Sequence, residues 1–240
     1  MNIDYPRDVC ITDEFREALA QVVCKATAEQ PSEPFHYMIW GRNAEGARQP
    51  KGSEHLATLK EFAAKLAVTL TPGMDVISIR VLFSPPGSPA QPFHLDYAQH
   101  FSEVRTIFIS ASPSTASNCT EWLDFGETNS EIVARARQLV QKGITLELSD
   151  LSPHKPAVQS LVLDAGQVCV LRTSHVFHRR GPNRSEFTRI TFNVDVAHLP
   201  ESPEFVDLDT CRSLGQKRIC GLDVVDALDE QDICLHGFPD

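Results

Sequence analysis

The sequence predicts an α+β protein whose core is an antiparallel sandwich or barrel of short strands. Three observations lead to this fold class. Two amphipathic helical patterns dominate the first third of the chain, and β-branched runs separated by turn residues dominate from residue 74 onward. Only one good helical pattern interrupts these runs. Helices that come first and strands that come later are typical of the α+β class.

Two amphipathic helices are predicted near the N-terminus. The stretch TDEFREALAQVVCKATAEQ at 12–30 has a cap at Thr12 or Asp13, and SEHLATLKEFAAKLAVTL at 53–70 starts from Ser53. In each stretch, apolar residues recur at helical spacing on one stripe. The stripe positions are Phe15, Leu19, Val22, Val23, Ala26, Leu56, Leu59, Phe62, Ala63 and Leu66. Each helix is therefore expected to lay one face on an apolar surface.

The strands are predicted where β-branched and aromatic residues cluster between breakers. The strands at 74–83 and 104–110 flank the breaker run SPPGSPAQP at 84–92. Later strand candidates are GITLELS at 143–149, VQSLVL at 158–163, GQVCVLR at 166–172 and FTRITFNVDV at 187–196. The interrupting helix, TNSEIVARARQLVQKG at 128–143, has a Thr128/Glu131 capping box and Gly143 as its stop.

A chain of 240 residues without repeats or low-complexity blocks is expected to form one domain over 1–240. Within it, residues 1–73 are expected to be a helical N-terminal support and 74–196 the strand core. Residues 197–240 are a C-terminal extension without an assigned role. A chain of this length buries a sizeable core without disulfides or a structural metal.

The acidic charge of this chain excludes some partners. Its formal net charge is −10 and its pI is near 5.3, so it lacks the basic surface of a nucleic-acid-binding protein and is a poor partner for a polyanionic membrane. The start MNIDYPRDVC carries charges where a signal peptide needs an apolar core, and no apolar stretch approaches a membrane span. A cytoplasmic protein with a small-molecule or peptide substrate is expected, with no prediction of its oligomeric state.

Seven cysteines form no Cys-x-x-Cys pair, and their number is odd. They are expected to be reduced thiols of a cytosolic protein, and Cys169, inside an apolar run, is typical of a buried thiol. Cys211, Cys220, Cys234 and His236 in the tail match no standard zinc spacing.

Two stretches carry candidate metal ligands. In QPFHLDYAQH at 91–100, His94 and Asp96 are two residues apart and point the same way from an extended segment, so both can bind one ion. A later hairpin carries His175 and His178 near one end and Arg189 on its returning arm. Two imidazoles and one carboxylate on one face hold ferrous iron and leave coordination sites free. From the residues alone, either His175 or His178 supplies the third ligand.

The pattern His94-x-Asp96, then His178, then Arg189 resembles the non-haem iron(II) and 2-oxoglutarate-dependent dioxygenase superfamily. The segment 166–194 resembles its C-terminal signature: a turn glycine, an apolar strand, HRRGPN, a polar link and RIT. The lead-in SIRVLFSPPGSPAQPFHLDY is similar to the strand and loop before His-x-Asp in several branches. The resemblance covers residues 75–196 and implies a double-stranded β-helix (jelly-roll or cupin-like) core with the N-terminal helices packed on it.

The resemblance also implies roles for residues. His94, Asp96 and His178 become iron ligands, with His175 as the runner-up for the third. Arg189 becomes the partner of the distal carboxylate of 2-oxoglutarate, because a guanidinium is a permanently charged fork of donors, and Thr191 adds a hydroxyl. Iron(II), 2-oxoglutarate and O2 are the expected cofactors, with ascorbate as reductant and with succinate and CO2 as products.

The substrate is expected to be a small molecule such as an amino acid or a specialised metabolite, and its hydroxylation is the usual outcome in this superfamily. Arg80, Arg105, Tyr97 and Gln91 are candidate substrate residues, although each arginine can equally face solvent. The nucleic-acid demethylase branch carries a second arginine where this chain has Asp195, which disfavours nucleic-acid repair. The alternatives are a cupin-type metal enzyme that does not use 2-oxoglutarate, a protein side-chain hydroxylase, and a binding module without chemistry.

Overall fold

The structure is a computed structural model. It describes residues 3–6, 9–28, 34–41, 47–48, 54–96, 103–126, 133, 134, 136, 138, 146, 148–151 and 156–198. The candidate substrate residue Tyr97, the helix cap Ser53, the C-terminal extension from 199 on and its possible zinc ligands lie outside the described residues. Of the helix predicted at 128–143, the described positions 133, 134, 136 and 138 are helical.

Two helices of the described chain agree with the predicted amphipathic patterns. Helix α1 spans Asp13–Ala28 and α2 spans Glu54–Leu70. Thr12 caps α1, because its Oγ1 accepts a hydrogen bond from the Phe15 backbone N–H at 3.3 Å. No helix among the described residues is long and apolar enough to cross a membrane.

Ten strands form two sheets in the described part of the chain. They are β1 (Ile3–Asp4), β2 (Phe35–Gly41), β3 (Ala47–Arg48), β4 (Asp75–Ser84), β5 (Val104–Ser110), β6 (Thr120–Asp124), β7 (Ala157–Leu161), β8 (Val168–Leu171), β9 (His178–Arg180) and β10 (Arg189–Ala197). The major sheet has the order β1-β8-β5-β10-β4-β2-β3, and the minor sheet has the order β7-β6-β9. Every strand pair is antiparallel except β2 with β3. The mixed composition and the antiparallel sheets agree with the α+β prediction.

The helices pack on one face of the major sheet. The ring of Phe15 in α1 stacks on Phe62 in α2, with ring centroids 4.0 Å apart, and meets Phe192 in β10 edge-on at 5.1 Å. Each such ring buries enough apolar surface to stabilise the fold by about 1.5–3 kcal/mol. The N-terminal helices therefore pack on the strand core, as the sequence predicts.

Strand β10, at the centre of the major sheet, has two unlike faces. Phe192, Val194 and Val196 join the apolar cluster beneath the helices. The alternate residues of this strand are polar and also buried: Arg189, Thr191, Asn193 and Asp195. Because strand side chains alternate between faces, these four polar groups lie on the side of the sheet away from the helices.

A second apolar cluster joins the two sheets. It combines Phe108 of β5, Cys169 and Leu171 of β8, and Leu161 of β7. The minor sheet therefore packs against the face of the major sheet that carries the polar row of β10.

Two sequence expectations differ from the structure. Residues Phe35–Gly41, in the region expected to be helical, form β2, which pairs with β4 through contacts such as Tyr37 with Val81. The strand predicted at 143–149 is reduced, among described residues, to a single bridge at Leu146, and Leu148–Leu151 is a 3-10 turn. Both segments are short, and tertiary pairing rather than local periodicity decides their state. The single-domain expectation stays a prediction.

Candidate metal centre

Three side chains converge where the minor sheet meets the loop after β4. His94, Asp96 and His178 each offer one ligand atom, and these atoms lie within 4.8 Å of one another. The His178 Nε2 is 3.4 Å from Asp96 Oδ2, and the His94 Nε2 is 3.6 Å from Asp96 Oδ1. Two metal–ligand bonds of about 2.1 Å span such separations. This donor set, two imidazoles and one carboxylate, fits a ferrous ion with free coordination sites.

Backbone pairing brings the three residues together. His94 and His178 form an antiparallel bridge in which each backbone N–H donates to the other's carbonyl at 3.0 Å. The Asp96 N–H donates to the Thr173 carbonyl, also at 3.0 Å. Backbone hydrogen bonds thus hold the later hairpin against the His-x-Asp segment at two positions. This register determines which of the two histidines faces Asp96.

Both imidazoles have their Nε2 atoms turned toward the carboxylate. The Nδ1 of His94 lies 3.0 Å from the Pro92 carbonyl, and the Nδ1 of His178 lies 2.9 Å from the Val176 carbonyl. A carbonyl oxygen only accepts, so in each ring Nδ1 carries the proton and donates. The Nε2 lone pairs are then directed at the space beside Asp96, which is the arrangement that outer hydrogen bonds produce in metal sites.

The electrostatics of the cluster favour a cation. Burial and the neighbouring His178 lower the pKa of His94, which keeps that ring neutral. Burial alone would raise the pKa of Asp96, but the two histidines outweigh it and hold the carboxyl well below its usual range. Burial likewise opposes the charge on His178, yet Asp96 raises its pKa. An ionised carboxylate held between two imidazoles is a ready ligand for a divalent metal.

A buried arginine occupies the same cavity. Arg189, at the start of β10, is 4% exposed, and its Nη1 donates to the Asn118 carbonyl at 2.9 Å. Its Nε is buried and has no hydrogen-bond partner, and no carboxylate pairs with Arg189 among the described residues. Burial lowers the pKa of Arg189 to about 10. A buried arginine without a carboxylate partner is suited to bind an anionic ligand.

One cavity is lined both by the His94, Asp96 and His178 side chains and by residues of the polar row of β10. Its described lining is Arg80, Leu82, Gln91, His94, Asp96, Phe108, Thr120, His178, Arg179, Arg180, Arg189, Thr191 and Asn193. Thr191, predicted as a hydroxyl donor, lies here and is buried. Asn193, Arg179, Arg180 and Thr120 were not among the predicted site residues. The alternation along RITFNVD could have indicated Asn193, because it shares the strand face of Arg189.

The candidate substrate residues differ in position. Gln91 lines the cavity, and its backbone N–H donates to the Arg180 carbonyl at 2.9 Å. Arg80 also lines the cavity, but its Nη2 binds Asp195 Oδ2 at 2.5 Å, so its charge is already matched by a buried carboxylate.

Arg105, which the sequence allows either to reach substrate or to face solvent, is not among the described residues that line this cavity. Its guanidinium binds Glu103 at 2.7 Å. The reason is strand parity. Thr106 and Phe108 of β5 point toward the cavity side, where Thr106 Oγ1 binds Asp195, so Arg105 points to the opposite face.

His175, the runner-up for the third ligand, lies away from the cluster. Its N–H donates to the Arg172 carbonyl within the turn before β9, and its Nδ1 lies 2.9 Å from the Ser174 hydroxyl. Of the two alternatives, the structure brings His178 to Asp96.

Comparison with known proteins bears on the fold. No protein-family profile matches the chain, and no curated protein matches it. Solved structures do. One is the non-heme alpha ketoglutarate dependent carbocyclase SnoK from nogalamycin biosynthesis, with a TM-score of 0.56 and 15% identity over 82% of this chain and 80% of that one. Another is HygX from Streptomyces hygroscopicus with nickel and 2-oxoglutarate bound, with a TM-score of 0.54 and 12% identity over 82% of each chain.

A third similar structure is EctD from S. alaskensis with bound Fe, with a TM-score of 0.52 and 13% identity over 82% of this chain and 72% of that one. At identities this low, the likeness concerns the fold. The chain has the fold found in non-haem iron and 2-oxoglutarate-dependent enzymes, and it carries a His-Asp-His triad within that fold.

Proposed function

We propose that the protein is an iron(II) and 2-oxoglutarate-dependent dioxygenase that oxidises, and usually hydroxylates, a small-molecule substrate. The observation that carries the proposal is the buried Arg189, which has no carboxylate partner among the described residues and shares a cavity with the His-Asp-His cluster. A metal cluster alone is compatible with many reactions. A buried cation without an acidic partner beside it favours an anionic ligand, and 2-oxoglutarate combines a carboxylate for Arg189 with a 2-oxo acid end for the metal.

Three side chains are proposed to bind the iron. His94, Asp96 and His178 would hold iron(II) through two Nε2 atoms and one carboxylate oxygen. When bound, iron(II) with O2 supplies the oxidative decarboxylation of 2-oxoglutarate to succinate and CO2, with one oxygen atom passing to the substrate, and ascorbate serves as reductant. The intact carboxylate of Asp96 favours hydroxylation over halogenation, because halogenases of this class have a small residue at that position.

Arg189 and Thr191 would bind the far carboxylate of 2-oxoglutarate. Both are buried on the cavity face of β10 and are two residues apart, so their side chains point the same way. A guanidinium and a hydroxyl together donate to both carboxylate oxygens. This contact would direct the keto acid end of 2-oxoglutarate toward His94, Asp96 and His178, which line the same cavity.

We further propose that the two sheets, which face each other across this cavity, are a double-stranded β-helix. Support comes from the antiparallel pairing, from the apolar cluster that joins the sheets, and from the similar solved structures. The helices α1 and α2 then support the outer face of the larger sheet.

The substrate is proposed to be an amino acid or a specialised metabolite that contacts Gln91 and Arg80 in the cavity. Tyr97, which follows Asp96 in the sequence, is proposed to contact it as well. The acidic net charge of −10 disfavours nucleic acid and membranes. A role in biosynthesis is supported by the likeness to SnoK from nogalamycin biosynthesis. A cupin-type enzyme that does not use 2-oxoglutarate has no use for a buried Arg189, and a binding module has no use for an intact triad.

Turnover of 2-oxoglutarate tests the proposal. The purified protein is incubated with iron(II), ascorbate and 2-oxoglutarate across a panel of amino acids and small acids, and succinate is quantified. Wild type is expected to form succinate with at least one substrate class. Arg189→Met is expected to abolish it, while Arg184→Gln, an exposed arginine on the same hairpin, is expected to retain it. Equal succinate formation by Arg189→Met and wild type would refute the assignment.

A further inference from the structure

A second arginine faces the cavity beside Arg189. Arg180 lies on β9 two residues beyond His178, so both side chains project from the same strand face, about 6.6 Å apart along the strand. Arg180 is among the residues that line the cavity. Its strand partner is Thr120 at the start of β6. Arg180 is therefore a neighbour of the metal cluster that the predicted site residues do not include.

The guanidinium of Arg180 has no carboxylate partner among the described residues. Its Nη2 donates to the Pro89 carbonyl at 3.3 Å, and its Nε is buried without a hydrogen-bond partner. The carboxylates nearby are engaged elsewhere. Arg179 binds Glu121 Oε2 through both Nε and Nη2 at 2.7 Å, and Asp195 binds Arg80. The described cavity thus has two arginines, Arg180 and Arg189, without acidic partners.

The two arginines converge on the same part of the cavity. Arg189 donates to the Asn118 carbonyl, and Arg180 is paired with Thr120, two residues further along the same segment. Burial is the main reason that the pKa of Arg189 is lowered, and the positive charge of Arg180 adds to it. Two like charges around one desolvated space repel each other. A single carboxylate between them would attract both guanidinium groups, would halve their net charge and would supply acceptors for the two buried Nε groups.

We propose that Arg180 is a second binding residue for the distal carboxylate of 2-oxoglutarate, which it shares with Arg189. This inference rests on the proposed function and deepens it. The paired arginines select a dicarboxylic 2-oxo acid over a monocarboxylic one of equal length. Arg180 also links this contact to the metal site, because the short strand β9 carries both it and His178.

The test is calorimetric and needs no turnover. Nickel(II)-loaded protein is titrated under argon with 2-oxoglutarate and with 2-oxopentanoate, which has the same carbon chain without the distal carboxylate. The proteins are wild type, Arg180→Gln and, as matched control, Arg184→Gln. Arg180→Gln is expected to weaken 2-oxoglutarate binding by about ten- to a hundredfold, the loss typical of a charge-assisted contact, and to change 2-oxopentanoate binding by less than about twofold. Arg184→Gln is expected to change neither.

The outcomes separate this inference from the proposed function. If wild type binds nickel(II) but not 2-oxoglutarate, the proposed function fails together with the inference. If wild type binds 2-oxoglutarate and Arg180→Gln binds it equally well, only the inference is overturned. Arg180 then contacts the substrate or solvent instead of 2-oxoglutarate. Should Arg180→Gln not fold, Arg180→Lys replaces it. The lysine keeps the charge but not the fork, so a loss confined to 2-oxoglutarate supports the inference, and unchanged affinity overturns it.

Discussion

Replacing Arg189 by methionine is expected to make the protein more stable and unable to bind 2-oxoglutarate. Burial lowers the pKa of Arg189 from its ordinary value to about 10. A tenfold change in proton affinity corresponds to ~1.4 kcal/mol, so keeping this side chain charged in the folded state costs about 3 kcal/mol. Both the folded and the unfolded states are protonated at pH 7. The cost is therefore fully present at neutral pH, falls as the pH rises through 10, and vanishes once the unfolded state loses its proton as well.

The methionine variant also loses one favourable contact. Arg189 Nη1 donates to the Asn118 carbonyl, and removing this hydrogen bond costs about 1 kcal/mol. An unbranched methionine fills much of the space of the arginine stem, which limits the cavity term. The net expectation is a gain of ~1–2 kcal/mol in the free energy of unfolding. For a chain of this size that raises the melting temperature by about 2–8 °C.

Thermal unfolding of the nickel(II)-loaded protein, with and without 2-oxoglutarate, measures both effects. At about 100 times its dissociation constant, the ligand stabilises wild type by about 2.7 kcal/mol and should leave Arg189→Met unchanged. Arg184→Met, on the exposed part of the same hairpin, serves as the control and should behave as wild type. The reasoning is refuted if Arg189→Met melts several degrees below wild type without ligand, or if 2-oxoglutarate stabilises both proteins equally.

Three further predictions concern the scaffold. A Cβ at Gly181 would lie 2.5 Å from the Cys119 carbonyl oxygen, so Gly181→Ala should push β9 from β6, cost about 1–3 kcal/mol in urea unfolding, and weaken nickel(II) binding. Undiminished metal affinity would contradict this. Asp195→Ala removes the buried partner of Arg80 and should lower the free energy of unfolding by about 3–5 kcal/mol. The double variant Arg80→Met/Asp195→Leu should recover most of this loss, and a double variant no more stable than Asp195→Ala would be evidence against the reasoning. Burial raises the pKa of the Cys169 thiol to about 12, so iodoacetamide at pH 8 should leave Cys169 of the native protein unmodified while the exposed Cys10 and Cys24 react. Peptide mass spectrometry measures the modification, and rapid alkylation of Cys169 in the native protein would show that this thiol is not buried.

The convergence of His94 and Asp96 with a histidine of the later hairpin was predictable, because strand parity and residue type determine it. The side chains of a His-x-Asp pair in an extended segment point to one side, and an apolar strand with flanking turns indicates where the hairpin lies. The choice between His175 and His178 was not predictable from the residues alone. It depends on the register of the His94–His178 bridge, which is a tertiary contact. Their role as metal ligands stays a proposal.

The missed features have a common cause. Strand β2 was overlooked because FHYMIWG is short and stands alone between polar segments, and its partner β4 is some forty residues away. The face of the sheet on which Arg105 lies and the pairing of Arg80 with Asp195 follow from sheet register. Register is set by long-range pairing, so local patterns indicate which residues share a strand face but not which strands meet.

The central claim, that the triad holds iron beside a bound 2-oxo acid, is tested most directly by anaerobic absorption spectroscopy. Iron(II) and then 2-oxoglutarate are added to wild type and to the double variant Asp96→Ala/His178→Ala, and the visible charge-transfer band of the chelate is recorded. The account predicts a band in wild type that saturates with 2-oxoglutarate and is missing in the double variant. A wild-type protein without the band, or a band of equal strength in the double variant, would contradict it.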